Sequence, residues 1–297
     1  MTDLASLLDI RVNRPEAVAE AAARRVRRQA PVGPSGRLLI IAADHPARGA
    51  LRAGDRAFAM ANRTELLDRL RVALARPGVD GLLATADVVE DLLLLGALDD
   101  KVVIGSMNRG GLAGTVFEID DRFTGYDAAA LSRMRLDGGK MLFRIDPDDP
   151  STASTMQACA RAVDDLAAHR LLAMVEPFIT HREGGSVHGR VRNDLSPEAV
   201  IRSVTVASGL GGTSAYTWLK IPVTDEMERV AAATTLPMLL LGGEVQADAD
   251  AAYARWQKAL RLPTVRGLVV GRTLLYPPDD DVATAVDTAA DLLREVS

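Results

Sequence analysis

The chain has 297 residues, a length that fits two domains of roughly 150 residues or one α/β barrel of about 250. Its composition, 48 % hydrophobic, 25 % charged and only 4 % aromatic, provides a large aliphatic core and excludes disordered and fibrous architectures. A formal net charge of −5 leaves no basic footprint for nucleic acid, and the single cysteine, Cys159, excludes an internal disulfide or a cysteine-rich metal centre. No apolar run nears the ~18 residues of a membrane span, and the first residues lack a basic segment followed by an apolar one. A cytoplasmic protein without nucleic-acid or membrane partners is therefore expected.

Residues 1–36 are expected to form an N-terminal helical extension. Its Arg24, Arg25, Arg27 and Arg28 would make a solvated or subunit-contacting face, which leaves a homo-oligomer open. Residues 37–297 then alternate two patterns. Short β-rich apolar runs occupy 38–43, 81–85, 102–106, 140–145, 172–176, 216–223, 238–242 and 268–271. Helical periodicity fills the stretches between and after them, at 63–75, 88–95, 152–168, 197–208, 225–233, 247–260 and 282–293, with Ser196-Pro197-Glu198 a clear helix start. Eight strands alternating with helices predict a single (β/α)8 barrel. The rival, an open doubly wound sheet, would carry a glycine-rich phosphate loop after its first strand, where Asp44-His45-Pro46 stands instead. The glycines of Gly209-Leu210-Gly211-Gly212 lack that context.

Only four of the 35 basic residues are lysines, so arginine fills most positions that merely need a positive charge. Lys140 and Lys220 nevertheless lie inside apolar strands, where a buried ammonium is costly unless paired. Lys220 reads either as a Schiff-base amine, with Lys140 as the second cation that lowers its pKa, or as half of a structural ion pair. Barrel chemistry collects at the C-terminal ends of strands. There Asp44 and Glu176 are acid/base candidates, or alternatively a turn cap and a lysine partner, and Pro177 restricts Glu176 to extended conformations. Gly242-Gly243-Glu244 and Gly271-Arg272 end the last two strands and would offer backbone N–H groups and a guanidinium to a phosphate. The polar segment 181–190 is either a lid or a surface loop. His45, His181 and His188 are the weaker option of a metal set, and Cys159 reads as a small buried apolar residue.

The run Leu136-Asp137-Gly138-Gly139-Lys140-Met141-Leu142-Phe143-Arg144-Ile145-Asp146-Pro147-Asp148-Asp149, followed by 172–177 and 218–223, resembles the class I aldolases related to tagatose-bisphosphate and deoxyribose-phosphate aldolases. The likeness runs from about residue 38 to 276 and is nearest the tagatose-bisphosphate branch through Thr124-Gly125-Tyr126-Asp127. It implies an imine at Lys220 on the sixth strand, assisted by Lys140, Glu176 and Asp44. It also implies a phosphate contact at Gly271 and Arg272; Gly242 and Gly243, from the strand ends, and Arg144, at the end of the fourth strand, are counted with that substrate and phosphate site. Arg144 and Ile145 depart from the branch's aromatic pair, which bears on the substrate more than on the chemistry. The nearest subgroup is bacterial and associated with sugar or inositol catabolism. That implies metal-independent and cofactor-free cleavage of a phosphorylated ketose or keto-sugar acid such as 2-deoxy-5-keto-gluconate 6-phosphate.

Overall fold

Alternation along the strands sorts the aliphatic residues into two cores. Leu38, Ile40, Leu83, Val102, Ile104, Leu172, Met174, Leu239 and Val269 point inward and form one small cluster, while their neighbours pack outward against helices in a much larger one. In a computed structural model, which describes residues 3–33, 35–186, 188–243 and 249–296, these strands are β1 (Leu38–Ala42), β2 (Gly81–Ala84), β3 (Val102–Ser106), β4 (Gly138–Ile145), β5 (Leu172–Arg182), β6 (Val191–Asp194), β7 (Thr217–Ile221), β8 (Met238–Leu241) and β9 (Val265–Val270). Pairing runs β4-β3-β2-β1-β9-β8-β7-β5, and β4–β5 pairing closes the ring. All eight closing pairs are parallel, which makes a single (β/α)8 barrel with β7 as its sixth strand.

Four local expectations change. The expected loop at 181–190 belongs to a β-hairpin: β5 runs on to Arg182 and β6 returns antiparallel, with His181 opposite Arg192. The last barrel strand starts at Val265, ahead of the expected 268, because Gly267 at φ +138 passes 1.9 Å from the Leu38 carbonyl, measured to where its Cβ would stand. Only glycine permits that approach. The helix expected at 225–233 shortens to Met227–Ala231. The N-terminal segment holds two helices, Leu4–Asn13 and Ala17–Arg24, and its arginines form a solvated face only in part: Arg24 is exposed, while the next three reach partners in the barrel. Arg25 is buried with its Nη1 on the Lys101 carbonyl at 2.9 Å, Arg27 pairs with Asp137 at 2.8 Å, and Arg28 pairs with Asp80 at 2.6 Å. The carboxylates that meet Arg25, Arg27 and Arg28 stand at strand feet, where a backbone N–H of the adjoining strand also holds each one, Leu39 N for Asp80 and Val103 N for Asp137.

The helix start at Ser196 is made as expected, its Oγ accepting from Ala199 N at 3.3 Å with Pro197 in the first turn. Residues 244–248, which include Glu244 and the expected first turn of the helix now seen from Ala249, lie outside the described residues. Among the described residues, no helix is long and apolar enough to cross a membrane.

Candidate functional site

Inward alternation puts Lys140, Leu142 and Arg144 on one face of β4, Glu176 on β5 and Lys220 on β7. Register then brings them level: Lys140 stands opposite Ser106 of β3, and Leu142 opposite Glu176. Asp44 follows β1 by two residues and enters the same layer from the other side of the barrel. The structure therefore gathers Asp44, Lys140, Glu176 and Lys220, all 7 % exposed or less, just inside the C-terminal mouth.

Their contacts form one chain. Glu176 bridges the two lysines, with Oε1 2.7 Å from Lys220 Nζ and Oε2 2.5 Å from Lys140 Nζ. Lys140 also donates to Asp44 Oδ2 at 3.1 Å. Arg109, from the loop after β3, adds its Nη1 to Asp44 Oδ2 at 3.3 Å and to Ser106 Oγ at 3.1 Å, while its Nη2 donates to the Asp44 carbonyl. Burial alone would raise the Glu176 pKa, but the two ammonium groups pull it down to about 2. Burial would likewise raise Asp44, which Lys140, His45, Lys220 and Arg109 hold well below the ordinary carboxylate range. Burial lowers the Lys140 pKa against the pull of both carboxylates, and lowers Arg109 to about 10. Two carboxylates face three cations, so the layer has one excess positive charge and suits an anionic ligand.

Sequence reasoning missed Arg109. It lies beyond the strand end in an irregular loop, and its direction is set by Asn108. That side chain donates to the Leu142 carbonyl at 2.5 Å and accepts from Leu142 N at 2.8 Å, stitching the end of β3 to β4. Arg48 fastens the same corner from the β1 side, with Nη2 on the Asn108 carbonyl at 2.5 Å and Nη1 on Asp121 at 2.6 Å.

The glycines at the last two strand ends lie side by side. Thr273 Oγ1 reaches the Gly242 carbonyl at 3.5 Å, and a Cβ on Gly242 would stand 2.5 Å from Val270 Cγ1. Gly243 has φ +69 with open space where a Cβ would be. Arg272 donates to the Arg52 carbonyl at 3.4 Å on the same rim. Arg144 stands apart from this corner: Glu118 holds its guanidinium through a 2.9 Å ion pair. His181 and His188 are exposed on the hairpin while His45 lies in the mouth, and among the described residues no three His, Cys, Asp or Glu side chains are grouped to hold a metal ion. Cys159 is buried in the helix Ser151–Ala168, and that burial raises its thiol pKa.

Residues 36–290 match the profile of the Cgl0159-like family, and the chain belongs to it. Cgl0159 from Corynebacterium glutamicum is 54 % identical over 98 % of this chain and 97 % of its own, with a TM-score of 0.94. A Schiff base forming fructose-1,6-bisphosphate aldolase superposes with a TM-score of 0.66 at 19 % identity, covering 93 % of this chain and 99 % of its own. An archaeal fructose 1,6-bisphosphate aldolase does so with the same score and identity over 94 % and 99 %. At that identity the likeness is one of fold. No curated protein matches the chain.

Proposed function

We propose that this member of the Cgl0159-like family is a cytoplasmic, metal-independent class I aldolase. It would cleave a phosphorylated ketose or keto-sugar acid through an imine on Lys220. The observation that carries this reading is the Glu176 carboxylate shared between two buried lysines at the barrel mouth. A nucleophilic amine must lose a proton, and a carbinolamine must gain one to expel water. Glu176 touches both nitrogens: it can take the proton of the Lys220 ammonium so that the amine attacks, Lys140 then gives a proton to the carbinolamine oxygen, which leaves as water, and Glu176 passes the proton it holds back to Lys140. Asp44 anchors Lys140 in reach of that oxygen. The lysines need not meet directly, since the carboxylate separates them and carries the coupling between them.

The rim corner of Gly242, Gly243, Gly271 and Arg272 takes the phosphate in this reading, and Arg144 with its partner Glu118 borders the far end of the substrate. The aldolase fold of the structures above and the excess positive charge of the layer support the same substrate class. The test is release of an aldehyde from a panel of phosphorylated ketoses and keto-sugar acids that includes 2-deoxy-5-keto-gluconate 6-phosphate, with activity that survives excess chelator. Tight binding of these ligands without turnover or adduct would make the protein a sugar-phosphate-binding barrel, and activity lost to the chelator would make it a metal-dependent enzyme.

A further inference from the structure

His45 has no part in the scheme above, yet it occupies the mouth. It leaves β1 directly after Asp44 and opens the short turn Pro46–Arg48, which ends at Gly49 with φ +72. The buried Arg48 ties that turn to the loop after β3, on the Gly111 and Asn108 carbonyls. Its ring packs against Gly271: a Cβ there would stand 3.2 Å from His45 Cε1 and 2.4 Å from the Ala42 carbonyl. Nδ1 is 3.8 Å from Asp44 Oδ1, and this buried atom has no hydrogen-bond partner, although the side chain as a whole keeps 25 % exposure. The charges near enough to act on the ring are Asp44, Arg272, Lys220 and Glu176.

An ionised carboxylate repels a nitrogen lone pair, so the ring proton belongs on Nδ1, towards Asp44, and Nε2 carries the free pair. Burial first, then Arg272 and Lys220, lower the imidazole pKa to about 3, so the ring is neutral in the empty site and gains basicity when an anionic ligand offsets Arg272. Each of the two carboxylates of the layer is already occupied by two cations, Asp44 by Lys140 and Arg109 and Glu176 by Lys140 and Lys220.

We infer that His45 is a catalytic residue of the cleavage step, its Nε2 taking the proton of the substrate hydroxyl β to the imine carbon. The step balances within the site. The hydroxyl proton moves to Nε2, the oxygen–hydrogen pair becomes the carbonyl bond of the departing aldehyde, and the pair of the breaking carbon–carbon bond moves to the iminium to give an enamine. Asp44 stabilises the resulting imidazolium, and a phosphate dianion beside Arg272 offsets that cation's opposition. The inference rests on the Schiff-base reading, and its test separates the two.

The variants His45→Gln and His45→Asn keep a polar side chain and lose the base. Aldol cleavage should fall about 100-fold or more, within the span of general-base effects. Borohydride trapping of dihydroxyacetone phosphate, which has no β-hydroxyl to deprotonate, should proceed at the wild-type rate in both variants. Cleavage at the wild-type rate, or trapping that falls in step with cleavage, overturns the role of His45. Absence of any adduct in the wild-type protein strikes the Schiff-base reading itself and the step assigned to His45 with it.

Discussion

Both ends of the barrel bury clusters of acids and bases, and they use them differently. At the N-terminal end each carboxylate is fixed to the backbone: Asp80 Oδ2 accepts from Leu39 N and Asp137 Oδ2 from Val103 N, both at 2.8 Å, while Arg28, Arg25 and Arg27 cover the remaining lone pairs. At the C-terminal end Asp44 and Glu176 are held, among the described residues, by side chains, chiefly the ends of two flexible lysines. The first arrangement ties strand feet to the N-terminal segment and has nothing to exchange. The second can change partners when a ligand enters, because no strand hydrogen bond depends on it. Buried charge by itself therefore does not mark a candidate site; charge held only by side chains at the strand ends is what the proposed chemistry draws on.

The contrast predicts a double dissociation. At the C-terminal end, Lys220→Met should lower aldol cleavage about 10⁴-fold or more while the chain still folds, since Glu176 keeps Lys140. At the other end, Asp137→Ala should leave trapping of dihydroxyacetone phosphate intact. It should cost about 3 kcal/mol of stability in urea unfolding, because it strands Arg25 in a buried position and leaves the Val103 N–H without its acceptor. If Asp137→Ala abolishes trapping in protein that remains folded, the two ends are not separable.

Acid sharpens the same contrast. Glu176 has a folded-state pKa of about 2 against an ordinary 4.5. A depressed carboxylate stabilises the fold above its unfolded value, and that contribution disappears as pH falls towards the folded one. Between pH 5 and pH 2 the stability advantage of the wild type over Glu176→Gln should shrink by about 3 kcal/mol. An unchanged difference would show that the lysines do not hold the carboxylate ionised. The smallest effect belongs to the rim. Arg272→Ala should weaken dihydroxyacetone phosphate by about 2 kcal/mol in calorimetry and leave unphosphorylated dihydroxyacetone unchanged, as loss of one charge-assisted contact requires. Equal losses for both ligands would remove Arg272 from phosphate recognition.

The eight strands were legible because a parallel barrel strand, buried on both faces, reads as a continuous apolar run between helical patterns. The convergence of Lys140, Glu176 and Lys220 was legible for a related reason: lysine is scarce in this chain, and one inside an apolar run calls for a buried partner, whether for chemistry or for an ion pair. What escaped depends on irregular backbone or on distant partners. Arg109 acquires its direction from a loop that Asn108 and Arg48 pin. Arg25, Arg27 and Arg28 look like a surface face until Asp80 and Asp137, more than fifty and a hundred residues away, arrive beneath them. The hairpin of β5 and β6 hid in a polar glycine-containing stretch whose exposed pairing lacks the strong alternation of a half-buried strand. Arg144 carries the charge that suggested an anion contact, but Glu118, contributed by a separate loop, shares it.

In the proposed chemistry Lys220 is the amine and Glu176 couples it to Lys140. Borohydride reduction in the presence of dihydroxyacetone phosphate, followed by intact-mass measurement and peptide mapping, tests it most directly. One reduced three-carbon phosphate adduct is expected on the peptide that contains Lys220, with no adduct in Lys220→Met and slower formation in Glu176→Gln. An adduct on Lys140 would exchange the roles of the two lysines, and a wild-type protein that turns over substrate without any trapped adduct would contradict the account.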